Sequence, residues 1–452
     1  MYKSYSIKDI FILKTDEIVK VKGWVQSRRD SKTGFSFINM KDGSCGQTLQ
    51  IIAKNSLKNY FTEVIKLTKD CSLEVEGKII PSQGSKQTIE IASTSIKIIG
   101  WIKKSENYPI SSKKHSLEFL RNHLHLRSRT NVIGAISRIR HQLFHAIHDF
   151  FYKRNFFWLN TPILTSNDCE GGGQLFEVNN TNQKKKFFKD KTFLTVSGQF
   201  HLESYCMSMS KVYSFGPSFR AERSNTYRHL SEFWMLEAEI AFANLQDSIE
   251  IAKDLLHSSI QNIIKQCEKD LLILEFFSGT KLLENLKKFL LKKFVCIEYT
   301  EAINILERSN KKFEEKAKWG IDLQSEHERF LCEDYFSSPL IIKNYPKAIK
   351  PFYMKINDDS DTVAGADIII PGIGEIVGGG QREERPEVLE HRMKEHSNMT
   401  NNLSWYQDLR DYGTVPHSGF GMGFERILSY VTGSKNIRDV SPFPRTPGKL
   451  LL

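Results

Sequence analysis

Between residues 17 and 100, apolar and polar positions alternate in short runs at 18–26, 34–40, 47–53, 72–80 and 88–99. A period of two marks strands with one buried face. Turn-rich pieces, Asp30-Ser31-Lys32-Thr33-Gly34 and Lys41-Asp42-Gly43-Ser44, separate the runs. Five strands at this spacing predict a small barrel of the OB-fold type. Such barrels grip single-stranded nucleic acid by stacking bases on aromatic rings in a basic groove. Phe35 and Phe37 share a face beside Arg28 and Arg29. Base stacking and burial in the core both account for that pair.

The period then changes. Residues 101–129 are polar and irregular, with Pro109, Ser111, Lys113 and Lys114, and read as a hinge. From 132 to 154 apolar residues recur at helical spacing (Ile136, Ile139, Leu143, Ile147, Phe151) and run into a Pro-containing strand around Pro162. Residues 193–199 read as a strand ending in small polar donors. Strand-like runs at 213–222 and 232–243 flank a polar loop, and 246 to about 307 reads helical. The division expected is a barrel over 1–102, a hinge over 103–130 and an α+β domain over 131–452, with a helical insertion at about 246–330.

Composition narrows the class. A chain of 452 residues holds two or three domains with real cores, and 26% charged residues fit a globular protein. No apolar run reaches 18 residues and MYKSYSIKDIF lacks a signal-peptide core, so the expectation is a cytoplasmic protein without a membrane span. Sixty-four Lys+Arg against 53 Asp+Glu give a net charge of +11, which favours a phosphate-rich partner. A compositional bias toward lysine would raise the charge as well. Seven scattered cysteines without a C-x-x-C pair exclude a disulfide framework and a zinc cluster.

Chemistry concentrates in SFGPSFRAERSNTYRHLSEFWMLEAEIAF, residues 214–242. Alternation puts Arg220 with Glu222 on one face, and Phe233 with Met235, Glu237 and Glu239. A hairpin of these runs offers a guanidinium, carboxylates and a ring on one floor, with Arg223, Arg228 and His229 in the loop. Charges on a buried strand need partners or a ligand. A salt-bridged hairpin is the alternative, but the basic loop suits a polyphosphate nucleotide.

Phe219-Arg220-Ala221-Glu222, Arg228-His229-Leu230 and Glu232-Phe233-Trp234-Met235-Leu236-Glu237 resemble motif 2 of class II aminoacyl-tRNA synthetases. The wording is closest to the asparaginyl branch, bacterial type, of the subgroup that also holds the aspartyl and lysyl enzymes. The helix before Pro162 resembles motif 1, which builds a dimer interface. Gly419-Phe420-Gly421-Met422-Gly423-Phe424-Glu425-Arg426 resembles motif 3. The stretch Gly23-Trp24-Val25 through Arg28, with Phe37-Ile38-Asn39-Met40 and Leu49-Gln50-Ile51, is similar to the anticodon-binding barrel of the same subgroup.

The resemblance implies a reaction: L-asparagine plus ATP to the adenylate, then acyl transfer to tRNA(Asn), in a homodimer with Mg2+. It assigns Arg220 to the α-phosphate, Glu222 and Phe233 to adenine, Arg228, His229 and Arg426 to the outer phosphates, with Arg426 also packing on the adenine ring, and Leu230 and Gly423 to the ATP site. Glu375, with Asp367, takes the Mg–ATP role. Two carboxylates flanking a turn are the usual partners of an ion held mainly by phosphate oxygens. Glu170, Ser197 and Gln199 meet the amino acid's α-ammonium, while Glu237 and Arg382 meet its side chain. Arg28, Phe37, Gln50 and Glu90 form the anticodon set. Leu202 stands where the aspartyl enzyme carries a lysine, which argues against aspartate. Gln174 departs from the asparaginyl pattern, which has an acidic residue there. The alternatives are an aspartyl enzyme of the same class and a non-catalytic RNA-binding paralogue. No chemistry is assigned to Glu326-His327-Glu328-Arg329.

Overall fold

A computed structural model describes residues 3–84, 87–111, 113–167, 175–179, 187–224, 226–395 and 403–450. The contacts divide the chain into two compact units, Met1–Arg138 and Ile139–Leu452.

In the first unit the alternating runs become β1 (Ser4–Tyr5), β2 (Ile18–Ser31), β3 (Phe35–Lys41), β4 (Leu49–Lys54), β5 (Ser72–Pro81) and β6 (Ile89–Gly100). Their order is β1-β2-β3-β4-β6-β5, and a further β2–β5 pairing closes five of them into a barrel. The inward residues of the alternation (Val19, Val21, Val25, Ile38, Met40, Leu49, Ile51, Leu73, Val75 and Ile91) are fully buried. The register of β2 against β3 slips between Val25 and Ser27. Such a bulge re-aims the side chains that follow it. The stretch expected to be a plain hinge carries two short helices, Leu117–Arg121 and Leu124–Arg127, each burying a leucine.

The second unit is built on one large sheet. Its strands are β7 (Phe157–Trp158), β8 (Leu164–Thr165), β9 (Phe193–Leu194), β10 (Lys211–Phe219), β11 (Glu232–Ala241), β12 (Val295–Glu298), β13 (Leu340–Pro346), β14 (Thr362–Ile370), β15 (Gly374–Gln381) and β16 (His417–Gly423). Eight of them run in the order β12-β13-β14-β15-β16-β11-β10-β7, while β8 and β9 pair with each other. Inner neighbours are antiparallel; the two edge strands, β7 and β12, lie parallel to theirs. Helix Asn131–Tyr152 follows the apolar spacing of the sequence. Helix Leu245–Gln266 starts at a capping box made by Asn244 and Asp247 and packs its Ile249/Leu256/Ile260 stripe toward β14–β16. Helix Gln199–Met209 lies on β10 and β11.

Four boundaries differ from the sequence reading. The segment read as helical contains β12, whose four residues extend the sheet beyond β13; so short a strand is stabilised by its neighbour rather than by a pattern of its own. Pro162 lies between β7 and β8 and not inside a strand, because it lacks the N–H that a ladder requires. Gln199 is the first residue of a helix instead of the end of a strand. The hairpin ladder stops at Phe219, so Arg220 and Glu222 sit on its mouth.

Candidate active site

β10 and β11 pair so that Ser214 faces Glu237 and Ser218 faces Phe233. One extra rung, the Arg220 N–H donating to the Ser231 carbonyl at 3.0 Å, holds the hairpin mouth. The guanidinium carbon of Arg220 stands 5.5 Å from the centre of the Phe233 ring. Leu236, Ala238 and Ile240 point to one face of β11 and are buried; Glu237 and Glu239, on the other face, are buried as well. Two carboxylates inside a sheet demand donors, and both have them.

Glu237 accepts from the Ser197 hydroxyl, from the Gly198 N–H at 2.8 Å and from the Ser214 hydroxyl at 3.3 Å. Burial pushes its carboxyl above the ordinary range, against these donors and the nearby Arg220. Glu239 makes a two-point contact with Arg382: Nε donates at 3.2 Å and the outer guanidinium nitrogen grips the second oxygen. That geometry spends two donors of Arg382 and leaves the rest of the fork free of Glu239. Gly419 is required here, because a Cβ at that position would collide with the Glu239 carboxylate.

Behind this pair lies a second buried acid. Glu203 is fully buried and accepts from Gln199 Nε2 at 3.0 Å, Arg410 at 2.9 Å and the Tyr406 hydroxyl at 2.7 Å, with His417 Nε2 at 3.0 Å. Burial alone would raise its carboxyl, but Arg410, His417 and Arg382 hold it well below the usual carboxylate range. Gln199 therefore has its amide nitrogen fixed by Glu203, while Ser197 accepts the Gln199 N–H at 3.1 Å.

At the mouth of the hairpin His229 Nδ1 lies 3.0 Å from the Ser224 hydroxyl, and burial lowers the ring's basicity, helped by Arg426, Arg220 and Arg228 and opposed by Glu222. Arg228 donates to Ser325 at 3.2 Å. Arg426, in the first turn of helix Phe424–Thr432, donates to the Glu375 carbonyl at 2.9 Å and lies 3.8 Å from its carboxylate. Arg228 and Arg426 line one recess with Tyr227, Gly372 and Lys435. Leu230 is buried beneath the loop.

Asp367 on β14 and Glu375 on β15 face a common gap at Gly378. A Cβ on that glycine would lie 3.2 Å from Glu375 Oε1 and 3.3 Å from Asp367 Oδ1. Two hard oxygens converging on a space that any side chain would fill suit an oxygen-seeking divalent ion. Glu170 and Gln174 lie outside the described residues.

The barrel presents a cavity of about 1080 Å3, lined by Phe35, Phe37, Gln50, Glu90 and Arg29, among others. Phe35 and Phe37 are thus lining residues, their rings 4.9 Å apart, and not core. Glu90 accepts from Gln50 Nε2 and Gln87 Nε2, both at 3.0 Å, and from the Ser82 hydroxyl. Arg28 does not join them. Its guanidinium bonds the Val64 carbonyl at 3.0 Å and Asp30 at 3.2 Å. The bulge after Val25 is the reason: it puts Arg29, opposite Phe37, on the cavity face and Arg28 on the other.

The sequence matches the family "tRNA synthetases class II (D, K and N)" over residues 116–447 and an OB-fold nucleic acid binding domain over 19–99. It is 51% identical over 446 residues to an asparagine–tRNA ligase of Legionella pneumophila (strain Corby), covering 96% of each chain. It is 52% identical over 456 residues to that of Buchnera aphidicola subsp. Acyrthosiphon pisum (strain APS), covering 98% of each. The chain belongs to the asparaginyl branch of the class II tRNA synthetases. A crystal structure of the asparaginyl-tRNA synthetase from Pyrococcus horikoshii complexed with asparaginyl-adenylate superposes with a TM-score of 0.88 at 32% identity, covering all of both chains.

Sequence reasoning on this synthetase left out several residues that shape the floor. Glu203, Tyr406, Arg410 and His417 come from three separate segments, so no local pattern links them. Glu425 accepts the Trp234 N–H and an Arg140 N–H, each at 2.9 Å, and ties the three motif regions together. Glu328, in the stretch without an assignment, accepts the Glu375 N–H at 3.3 Å. Burial, with Glu375 next, pushes its carboxyl up to about 8. An unfolded glutamate titrates near ~4.3, so between those values the folded chain keeps a proton that the unfolded chain has released. The synthetase without ligands is therefore expected to lose stability as pH rises from 5 to 8. Urea midpoints should fall less steeply in Glu328→Gln; equal slopes would exclude Glu328 as the source.

Proposed function

We propose that the chain activates L-asparagine with ATP and transfers the asparaginyl group to tRNA(Asn). The observation that carries this reading is Glu237, an acceptor-only carboxylate beside Ser197, with Arg382 held nearby by Glu239 and no lysine at Leu202. An amide offers the NH2 that Glu237 lacks and the oxygen that Arg382 seeks. An aspartate carboxylate would meet Glu237 as a like charge.

In the first step a carboxylate oxygen of asparagine attacks the α-phosphorus; an O–P bond forms and the bond to pyrophosphate breaks. The substrate is its own nucleophile, so the protein's work is positioning and charge stabilisation. Arg220 holds the α-phosphate, with Glu222 and Phe233 around adenine and Leu230 in the ATP site. Arg228, His229, Gly423 and Arg426 take the remaining nucleotide contacts. Glu375 and Asp367 would hold Mg2+, which would supply positive charge to offset that of the phosphates. Ser197, Gln199 and Glu170 orient the α-ammonium. In the barrel, Phe37 stacks on an anticodon base while Gln50 and Glu90 read its edge, with Arg29 in place of Arg28 as the neighbouring cation.

The barrel is assigned to 1–102, the hinge to 103–130 and the catalytic domain to 131–452. Phe157, Trp158, Ile163 and Leu164 are each more than two-fifths exposed. Exposed apolar groups of this size on the segment that resembles motif 1 are assigned to a homodimer interface. No helix among the described residues is long and apolar enough to cross a membrane, and the cytoplasm is the proposed location.

ATP–pyrophosphate exchange with asparagine and aspartate side by side tests the reading. Exchange with asparagine is expected, with aspartate at least ~10³-fold slower, as for pockets built around one polar pattern. Preference for aspartate would overturn the specificity; exchange with neither amino acid, even with tRNA present, would overturn the activity.

A further inference from the structure

Asp367 is open to an incoming cation on one of its two oxygens. Oδ1 faces the gap at Gly378. Oδ2 accepts the Lys350 ammonium at 2.7 Å. Lys350 is shielded in turn: its side chain is 14% exposed and its ammonium lies 4.0 Å from the centre of the Tyr345 ring. Glu375 and Asp322 add further negative charge around it. A fixed cation thus already sits in the acidic corner where a divalent ion would bind. Carboxylates in a partly buried corner draw in cations, but a lysine held against one of them cancels much of that attraction and repels a second positive charge at short range.

We propose that Lys350 is a resident counter-ion that prevents the Asp367–Glu375 pair from retaining a divalent cation by itself. The ion then stays only while nucleotide phosphates supply additional oxygens, and it leaves with pyrophosphate. The inference rests on the reading of Asp367 and Glu375 as the metal-holding pair. It explains why a site that must load and unload an ion in every cycle contains a buried lysine: without it, two carboxylates around an empty cradle would hold the metal between turnovers. Oxygen number and net charge set affinity for hard cations, and Lys350 lowers the net charge.

The test is Mn2+ binding to the full chain without nucleotide, read from the electron paramagnetic resonance signal of free Mn2+. Wild type and Lys350→Arg, which keeps the charge, are expected to bind weakly and alike. Lys350→Met is expected to bind one Mn2+ at least ~10-fold more tightly, and adding Glu375→Gln should remove that gain. Lys350→Gln serves if the methionine variant does not give a native unfolding transition. Equal affinity in wild type and both neutral variants would overturn the proposal, and so would a gain that survives Glu375→Gln. The underlying reading is checked apart from this: Glu375→Gln alone should raise the Mg2+ concentration giving half-maximal exchange. An unchanged requirement would remove the metal pair itself, whatever Lys350→Met does.

Discussion

Replacing Arg220 by alanine is expected to lower ATP–pyrophosphate exchange by ~10²–10³-fold, with the unfolding transition unchanged. The size follows from the kind of contact. A charge-assisted donor aimed at an oxygen whose charge grows in the transition state contributes about 3–4 kcal/mol to the barrier, and each 1.36 kcal/mol is tenfold in rate. The fold should tolerate the change because Arg220 lies beyond the β10 ladder, and the bond that closes the hairpin mouth uses its backbone N–H. Its ring partner, Phe233, is half-buried and stays in register opposite Ser218. The loss should appear in kcat more than in the KM for asparagine, since the contact strengthens as the reaction proceeds. Exchange within threefold of wild type would remove Arg220 from the α-phosphate.

Glu203→Ala is expected to act the other way, costing ~3–5 kcal/mol of stability, as when one partner of a buried charged cluster is removed. Glu203 satisfies Arg410, the Tyr406 hydroxyl and the Gln199 amide at once and meets His417, none of them reached by solvent to more than a tenth. Alanine would leave a guanidinium and a hydroxyl without their acceptor in a dry interior, a larger penalty than the bonds themselves contribute. Glu203→Gln, which keeps the shape and one acceptor, should cost less. The carboxyl lies below its unfolded value, so its contribution is present above pH ~4.3 and is lost as pH falls below that point. Urea unfolding of the variant near neutral pH and in mild acid reads both effects. A change below 1 kcal/mol at pH 7 would show that the cluster is dispensable. Activity should fall too, because Gln199 loses the partner that sets which end of its amide faces the pocket.

The strands of the barrel and the three motif regions were legible because period and wording are local properties. Ile18 to Gly100 alternates plainly, Ile136 to Phe151 keeps helical spacing, and FRAE and GFGMGFER are each unbroken in the sequence. What stayed hidden depends on contacts between distant segments. A one-residue bulge at Gln26 exchanged Arg28 for Arg29, and no pattern in the sequence announces a bulge. The Glu203 cluster draws on helix 199–209, helix 404–411 and β16, and Lys350, in the connection after β13, meets Asp367 on β14. β12 escaped notice because four residues between helices carry too short a period to read. Glu328 could have been suspected from an acidic residue without a helical partner, but its place beside Glu375 required the fold.

Glu425 has a consequence in time as well as in space. Its partner Arg140 lies 285 residues earlier in the chain. At ~5–20 residues per second of synthesis, helix Asn131–Tyr152 waits roughly 15–60 s for the carboxylate that fastens it to the hairpin. The barrel needs nothing beyond residue 100 to close its ladder and can fold while the remainder is still being made. Contacts of such long range form late and slowly. A nascent chain should therefore complete its barrel well before it acquires a catalytic floor.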